Sequence, residues 1–85
     1  MEMTFGFLKR GWVGQVTLNG VTEVTLNVPN LEANSIVLAV LNTAGGTVAP
    51  HYISSKTVGA AGTAGIVGFK SSAGNTSVID VFVYQ

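Results

Sequence analysis

From Val16 to Val28 the even positions Val16, Leu18, Val24, Leu26 and Val28 are apolar, while Thr17, Asn19, Glu23, Thr25 and Asn27 occupy odd ones. Only an extended chain sends successive side chains to opposite sides, so this alternation demands half-buried β-strand. The stretch Ser77–Tyr84 repeats it, with Ile79, Val81 and Val83 on one face and Val78, Asp80, Phe82 and Tyr84 on the other. No segment carries a convincing amphipathic helical period, which leaves the chain only β architectures.

Turn chemistry divides the rest. Asn19-Gly20 tolerates the positive φ angles of a tight turn and predicts a hairpin over Val16–Val28. A three-residue loop would pair Leu18 with Thr22 and Val16 with Val24, keeping all five apolar residues inside. A two-residue loop pairing Leu18 with Val21 would send Val24, Leu26 and Val28 to the opposite face. Pro29-Asn30 ends that strand and Leu31–Ser35 reads as a loop. "SIVLAVLN" is too short for a convincing helix; its unbroken, β-branched run predicts a strand covered on both faces or placed in the sheet centre. "TAGG" at 43–46 is a turn, Thr47–Ile53 a strand interrupted or started near Pro50, and "SSKTVGAAGTAG" a connection with a short strand at Lys56–Val58. Ile66–Ser71 is a strand, "SAGN" at 72–75 a turn, and Ser77–Tyr84 the closing strand. The expected fold is all-β: a small antiparallel β-sandwich or jelly-roll-like barrel of roughly six to eight short strands. Residues 1–12 form an N-terminal arm or edge strand, and 13–85 a single domain.

At 85 residues such a domain buries roughly 60–65% of its unfolded surface and gains from oligomerisation. Charged residues make up 9% of the chain and hydrophobic ones 47%, against about 25% charged in ordinary soluble proteins. That deficit favours a surface covered by partner subunits over one carrying neutral Thr, Ser and Asn. Four basic and four acidic residues cancel, leaving no field to attract a phosphate backbone, so nucleic acid is not expected as a partner. The longest apolar run, Ile36–Leu41, falls far short of the roughly 20 residues of a membrane helix, and the N-terminus lacks a signal-peptide pattern. No membrane partner and no export signal are expected.

The residues that could carry catalysis are few. His51 is the one histidine and Asp80 the one aspartate, and no G-x-S-x-G elbow accompanies the serines; a nucleophilic triad has nothing specific to rest on. Glu2, Glu23, Glu32 and Asp80 lie at a terminus, on a strand's polar face, in a loop and in the last strand, so no acid–base pair is expected. Cysteine is absent and one histidine makes no metal site. A non-enzymatic chain without cofactor or metal is the expectation. "VGAAGTAGIVGFK" places glycine at 59, 62, 65 and 68. It lacks the G-K-[ST] and helix of a phosphate loop, and the long proline-rich repeat of collagen. "GAAGTAG" is therefore a small-residue connection, and Gly68, inside a strand, marks a bulge or a close approach by this chain or by another subunit.

The arm gathers Phe5, Phe7, Leu8, Lys9 and Arg10, with Trp12 just beyond. Aromatic residues and arginine are favoured interface anchors, so Phe5, Phe7, Lys9, Arg10 and Trp12, together with Gly68, form the expected partner-contact set. The alternative is an edge strand that plugs one end of its own sandwich.

"VTLNVPNLEANSIVLAVLNTAGGTV" and "GTAGIVGFKSSAGNTSVIDVFVY" resemble a small β-sandwich domain that recurs in virion proteins of tailed bacteriophages. The matching points are Val28-Pro29-Asn30, Ala33-Asn34-Ser35, Gly46-Thr47-Val48, Gly62-Thr63 and Asn75-Thr76-Ser77; Ile79-Asp80-Val81-Phe82 stands where a tryptophan often lies. The resemblance implies a jelly-roll-like structural module on the virion. In a chain this short it implies a capsid decoration, or cement, protein: a homo-oligomer, commonly a trimer, bound to the major capsid protein at the capsid surface. The alternative it implies is a receptor- or carbohydrate-binding module of a fibre or spike, with Trp12, Tyr52 or Tyr84 stacking on sugar rings.

Overall fold

The computed structural model describes the backbone of residues 2–5 and 9–84, with side chains from residue 11 onward. The described residues form seven strands: β1 (Glu2–Phe5), β2 (Lys9–Thr17), β3 (Val24–Val28), β4 (Ile36–Thr43), β5 (Tyr52–Thr57), β6 (Gly65–Lys70) and β7 (Val78–Tyr84). They form two antiparallel sheets, a four-stranded one ordered β1-β2-β7-β4 and a three-stranded one ordered β3-β6-β5. The pairing is nested, with β2 on β7 and β3 on β6, and the chain changes sheet between successive strands from β2 to β5. This is jelly-roll connectivity lacking two strands of the eight-stranded form, one from each sheet, which would fall between β5 and β6.

Period-two alternation places the core between the sheets. Ile79, Val81 and Val83 of β7 are wholly buried, as their alternation predicts, and meet Val67 and Phe69 of β6, with Leu18, Val28 and Leu31 completing the cluster. Trp12, Val16, Val24, Leu26, Val37 and Ala39 pack around it. Each fully buried Val, Leu, Ile or Phe stabilises the fold by about 1.5–3 kcal/mol, so these strands supply most of the driving force.

Three local expectations are corrected. Val16–Val28 is not a hairpin: all five apolar residues do face inward, but from opposite sheets. The turn lies at Gly20-Val21, where Thr22 N donates to Asn19 O at 3.0 Å and Gly20 takes φ 60°. Beside it Gly20 N donates to Asn75 O and Ser71 N to Gly20 O, each at 2.9 Å. The corner is therefore held by residues 71–75 rather than by a two-stranded ladder. Second, Thr47–Ile53 is mostly a crossover, and the strand starts at Tyr52 and runs through the supposed connection to Thr57. Pro50 has no N–H to offer a ladder, and the crossover is pinned by side chains instead. Asn75 Nδ2 donates to Ala49 O and Ser71 Oγ (both 2.9 Å), Ser71 Oγ to Pro50 O (2.7 Å), and Gly45 N to Ser77 Oγ (3.0 Å). Thr47 N donates to Gly74 O at 2.9 Å.

Third, β4 is not central. It is the edge of the four-stranded sheet, paired only with β7. On the same side β5 is the edge of the other sheet, and Lys56 of β5 and His51 just before it cap the backbone of β4 and its approach. Lys56 Nζ donates to Ala33 O (2.8 Å) and Ser35 O (2.7 Å), and His51 Nε2 lies 3.2 Å from Ala39 O as its donor. Edge carbonyls that would otherwise template another strand are thereby satisfied.

Candidate interaction surface

The two outer faces of the sandwich differ in chemistry. On the three-stranded sheet the outward register row is Thr25, Gly68 and Ser55, with Asn27, Ile66 and Thr57 alongside. A bulge between Ile53 and Ser55 inserts Ser54, so two successive serines turn toward Glu23, and both hydroxyls donate to its Oε2. These two hydrogen bonds, and then the charge of Lys70, hold the Glu23 carboxyl below the ordinary glutamate range. A Cβ on Gly68 would run into that carboxylate and into Ser55 Oγ. The close approach at Gly68 is thus internal, which accounts for the glycine without another subunit.

The outer face of the four-stranded sheet is apolar. Its aligned rows are Gly11–Tyr84–Ile36, Val13–Phe82–Leu38 and Gln15–Asp80–Val40. Ile36, Leu38 and Val40 are 53, 43 and 49% exposed, and Val13, Phe82 and Tyr84 are half-buried beside them. Among the described side chains one charge interrupts the face, and it is already met within the chain: Gln15 Nε2 donates to Asp80 Oδ1 (3.0 Å) and Asn42 Nδ2 to Oδ2 (2.9 Å). The Asn42 bond, then the Gln15 bond, lowers the Asp80 carboxyl below the ordinary aspartate range. The result is an apolar field with a polar border at one end, the anatomy of a protein interface.

The sequence-derived contact residues are dispersed relative to this face. Trp12 faces inward: its indole lies where a Cβ of Gly14 would stand, beside Leu26, and it packs against the core. Phe5 pairs with Lys9 and Thr4 with Arg10 in the β1–β2 ribbon, while Phe7 lies outside the described residues. The pairing of β7 on β2 starts at Gly11, so this ribbon extends past the end of β7. β2 also runs without a break from arm into sandwich. The glycine-rich connection borders an open depression of about 270 Å³ with Asn30, Leu31 and Glu32. It holds one carboxylate and no aromatic ring, and no polar set converges there. Among the described residues, no three His, Cys, Asp or Glu side chains come together as metal ligands would.

Sequence reasoning missed the β4 face as a site, although its signal was present. "IVLAVL" carries the unbroken apolar pattern of a doubly covered strand, yet the chain itself covers only one side. No protein-family model, curated protein or solved structure matches this chain.

Proposed function

We propose that this chain is a non-enzymatic structural subunit of a virion: a decoration or cement protein that binds the major capsid protein of an assembled phage shell, as a homo-oligomer, and reinforces it. The observation that carries this reading is the bare apolar face of the four-stranded sheet, on a domain with very little charge. A surface of that kind is suited to being covered by protein. The resemblance to phage sandwich domains supplies the shell as the partner. The reinforcing effect would be additive. Each copy contributes a modest contact, and binding only the intact shell shifts the equilibrium toward it by mass action across many sites.

The fibre-tip alternative is less well supported, because Trp12, its leading sugar-stacking candidate, packs into the core. The test is co-sedimentation of the purified chain with expanded shells of the phage that encodes it, followed by thermal disruption of loaded and unloaded shells. Saturable binding with a raised disruption temperature is expected. Absence of binding to assembled shells at high micromolar concentration refutes the proposal.

A further inference from the structure

The Asn19-Gly20 pair makes no hairpin, and we infer that it is instead a latent site of covalent self-modification: Asn19 is converted to isoaspartate or aspartate whenever its corner of the fold opens. The site stands apart from the apolar face and from any role of that face in shell binding. The nucleophile is the backbone nitrogen of Gly20. Its attack on the side-chain carbonyl carbon of Asn19 forms the Gly20 N–Cγ bond and breaks the Cγ–Nδ2 bond, and the amide proton passes through solvent to the departing ammonia. Water then opens the resulting succinimide. Addition at Cγ gives aspartate, whereas addition at the main-chain carbonyl carbon of Asn19 gives isoaspartate, whose backbone runs through the side chain and is longer by one atom. Ring closure is fastest when the following residue carries no side chain, and among the asparagines only Asn19 precedes glycine.

The fold leaves the electrophile at the surface and locks the nucleophile away. Asn19 is exposed, whereas Gly20 is buried. Gly20 N donates to Asn75 O and Gly20 O accepts from Ser71 N, each at 2.9 Å, while Thr22 N donates to Asn19 O at 3.0 Å. A Cβ on Gly20 would stand 3.3 Å from Gly74 N and 3.6 Å from Ala73 Cα, so residues 71–75 press closely on this peptide. An amide nitrogen whose hydrogen is held in this way is not free to turn toward Cγ, and ring closure waits for the corner to open. Asn34, which precedes the small Ser35, is guarded alike, because Ser35 N donates to Glu32 O at 3.0 Å. Isoaspartate at position 19 would lengthen the backbone next to Leu18, 2% exposed, and add a negative charge to a chain whose charges balance. The bonds from Gly20 to Asn75 and Ser71 then cannot all re-form in register. A reversible opening becomes a permanent one.

Peptide mapping by mass spectrometry tests this on the full chain, held in mildly alkaline buffer either folded or in urea beyond its unfolding midpoint. Asn19 is expected to be the first asparagine modified in the unfolded chain, and to react at least about tenfold more slowly in the folded one. Asn75→Ala, which removes side-chain bonds from the segment that covers Gly20, is expected to raise the folded-chain rate. If that variant does not fold, a urea series below the wild-type midpoint gives the same reading, with the rate at Asn19 climbing as opening becomes more frequent. The isoaspartate form, separated by ion exchange, is expected to fold with an equilibrium constant at least about tenfold below that of Asn19→Asp, which adds the same charge to a backbone of normal length. Equal rates in the folded and unfolded chain, earlier modification of another asparagine, or an isoaspartate form as stable as Asn19→Asp overturns the inference.

Discussion

Replacing Asn75 with alanine should cost more than any other single polar substitution in this chain. The side chain is 1% exposed. Its amide nitrogen donates to Ala49 O and Ser71 Oγ, and its Oδ1 accepts from Ser77 N at 3.1 Å. Asn75→Ala leaves the N–H of Ser77, a wholly buried residue, without its acceptor, at about 1–3 kcal/mol, and removes two further bonds at about 1 kcal/mol each. The sum, about 3–5 kcal/mol, is set against a total stability of about 4–13 kcal/mol for a domain of this length. Urea unfolding followed by the fluorescence of Trp12, the single tryptophan, reads the loss. With a slope of about 1 kcal/mol per molar urea the midpoint should fall by about 3–5 M. Because Ser71 shares the network, Asn75→Ala and Ser71→Ala should combine to less than the sum of their separate costs. A midpoint shift below about 1 M, or strict additivity, would mean that the crossover is not held by this side chain.

Four further outcomes follow from other parts of the structure. Gly68→Ala places a Cβ against the Glu23 carboxylate, which must swing away from Ser54 and Ser55; side-chain carboxyl NMR should then show Glu23 titrating higher, toward its ordinary range, and an unmoved titration contradicts the packing. Glu23 and Asp80 are both held below their ordinary pKa, so the unfolded chain binds more protons through that window. Their stabilisation is complete above the ordinary carboxylate range and is lost as pH falls through the lowered values. The urea midpoint should accordingly decline from about pH 5 downward, less steeply in a Glu23→Gln/Asp80→Asn variant; an equal slope rejects the assignment. Trp12→Ala should lower stability by about 2–4 kcal/mol in thermal melts, and loss of shell binding without that cost would restore Trp12 as a surface anchor. Lys56→Met should accelerate amide hydrogen exchange around Ala33–Val37, where the lysine caps two carbonyls, and unchanged exchange would show the cap to be incidental.

What was legible in the sequence was largely local. The alternation in β7 states which side chains face inward, because period two is a property of the extended chain itself, and Ile79, Val81 and Val83 are indeed buried. Which sheet a strand joins is a long-range choice that the same alternation leaves open. Val16 and Val24 would face inward equally well side by side or across a sandwich, and only the competition from residues 71–77 for the corner decides it. Asn75 reads as a turn residue and Ser77 as the start of the closing strand, since nothing nearby in sequence marks the carbonyls of Ala49 and Gly45 as their partners. The β4 run was informative in a different way. Its pattern implies cover on both sides, and the mismatch with one bare side is what identified the candidate surface. Gly68 illustrates the reverse: the sequence marks a close approach, and the approaching group is Glu23, far away along the chain.

The long crossover between the two sheets makes the fold open to insertion at one place. Between β4 and β5 the crossover passes through Thr47 and Val48, both exposed, and its flanks are fastened by Thr47 N to Gly74 O and by Ala49 O to Asn75. A foreign peptide spliced between these two residues would enter and leave the domain at points already anchored. The same locus therefore offers a display position for engineering.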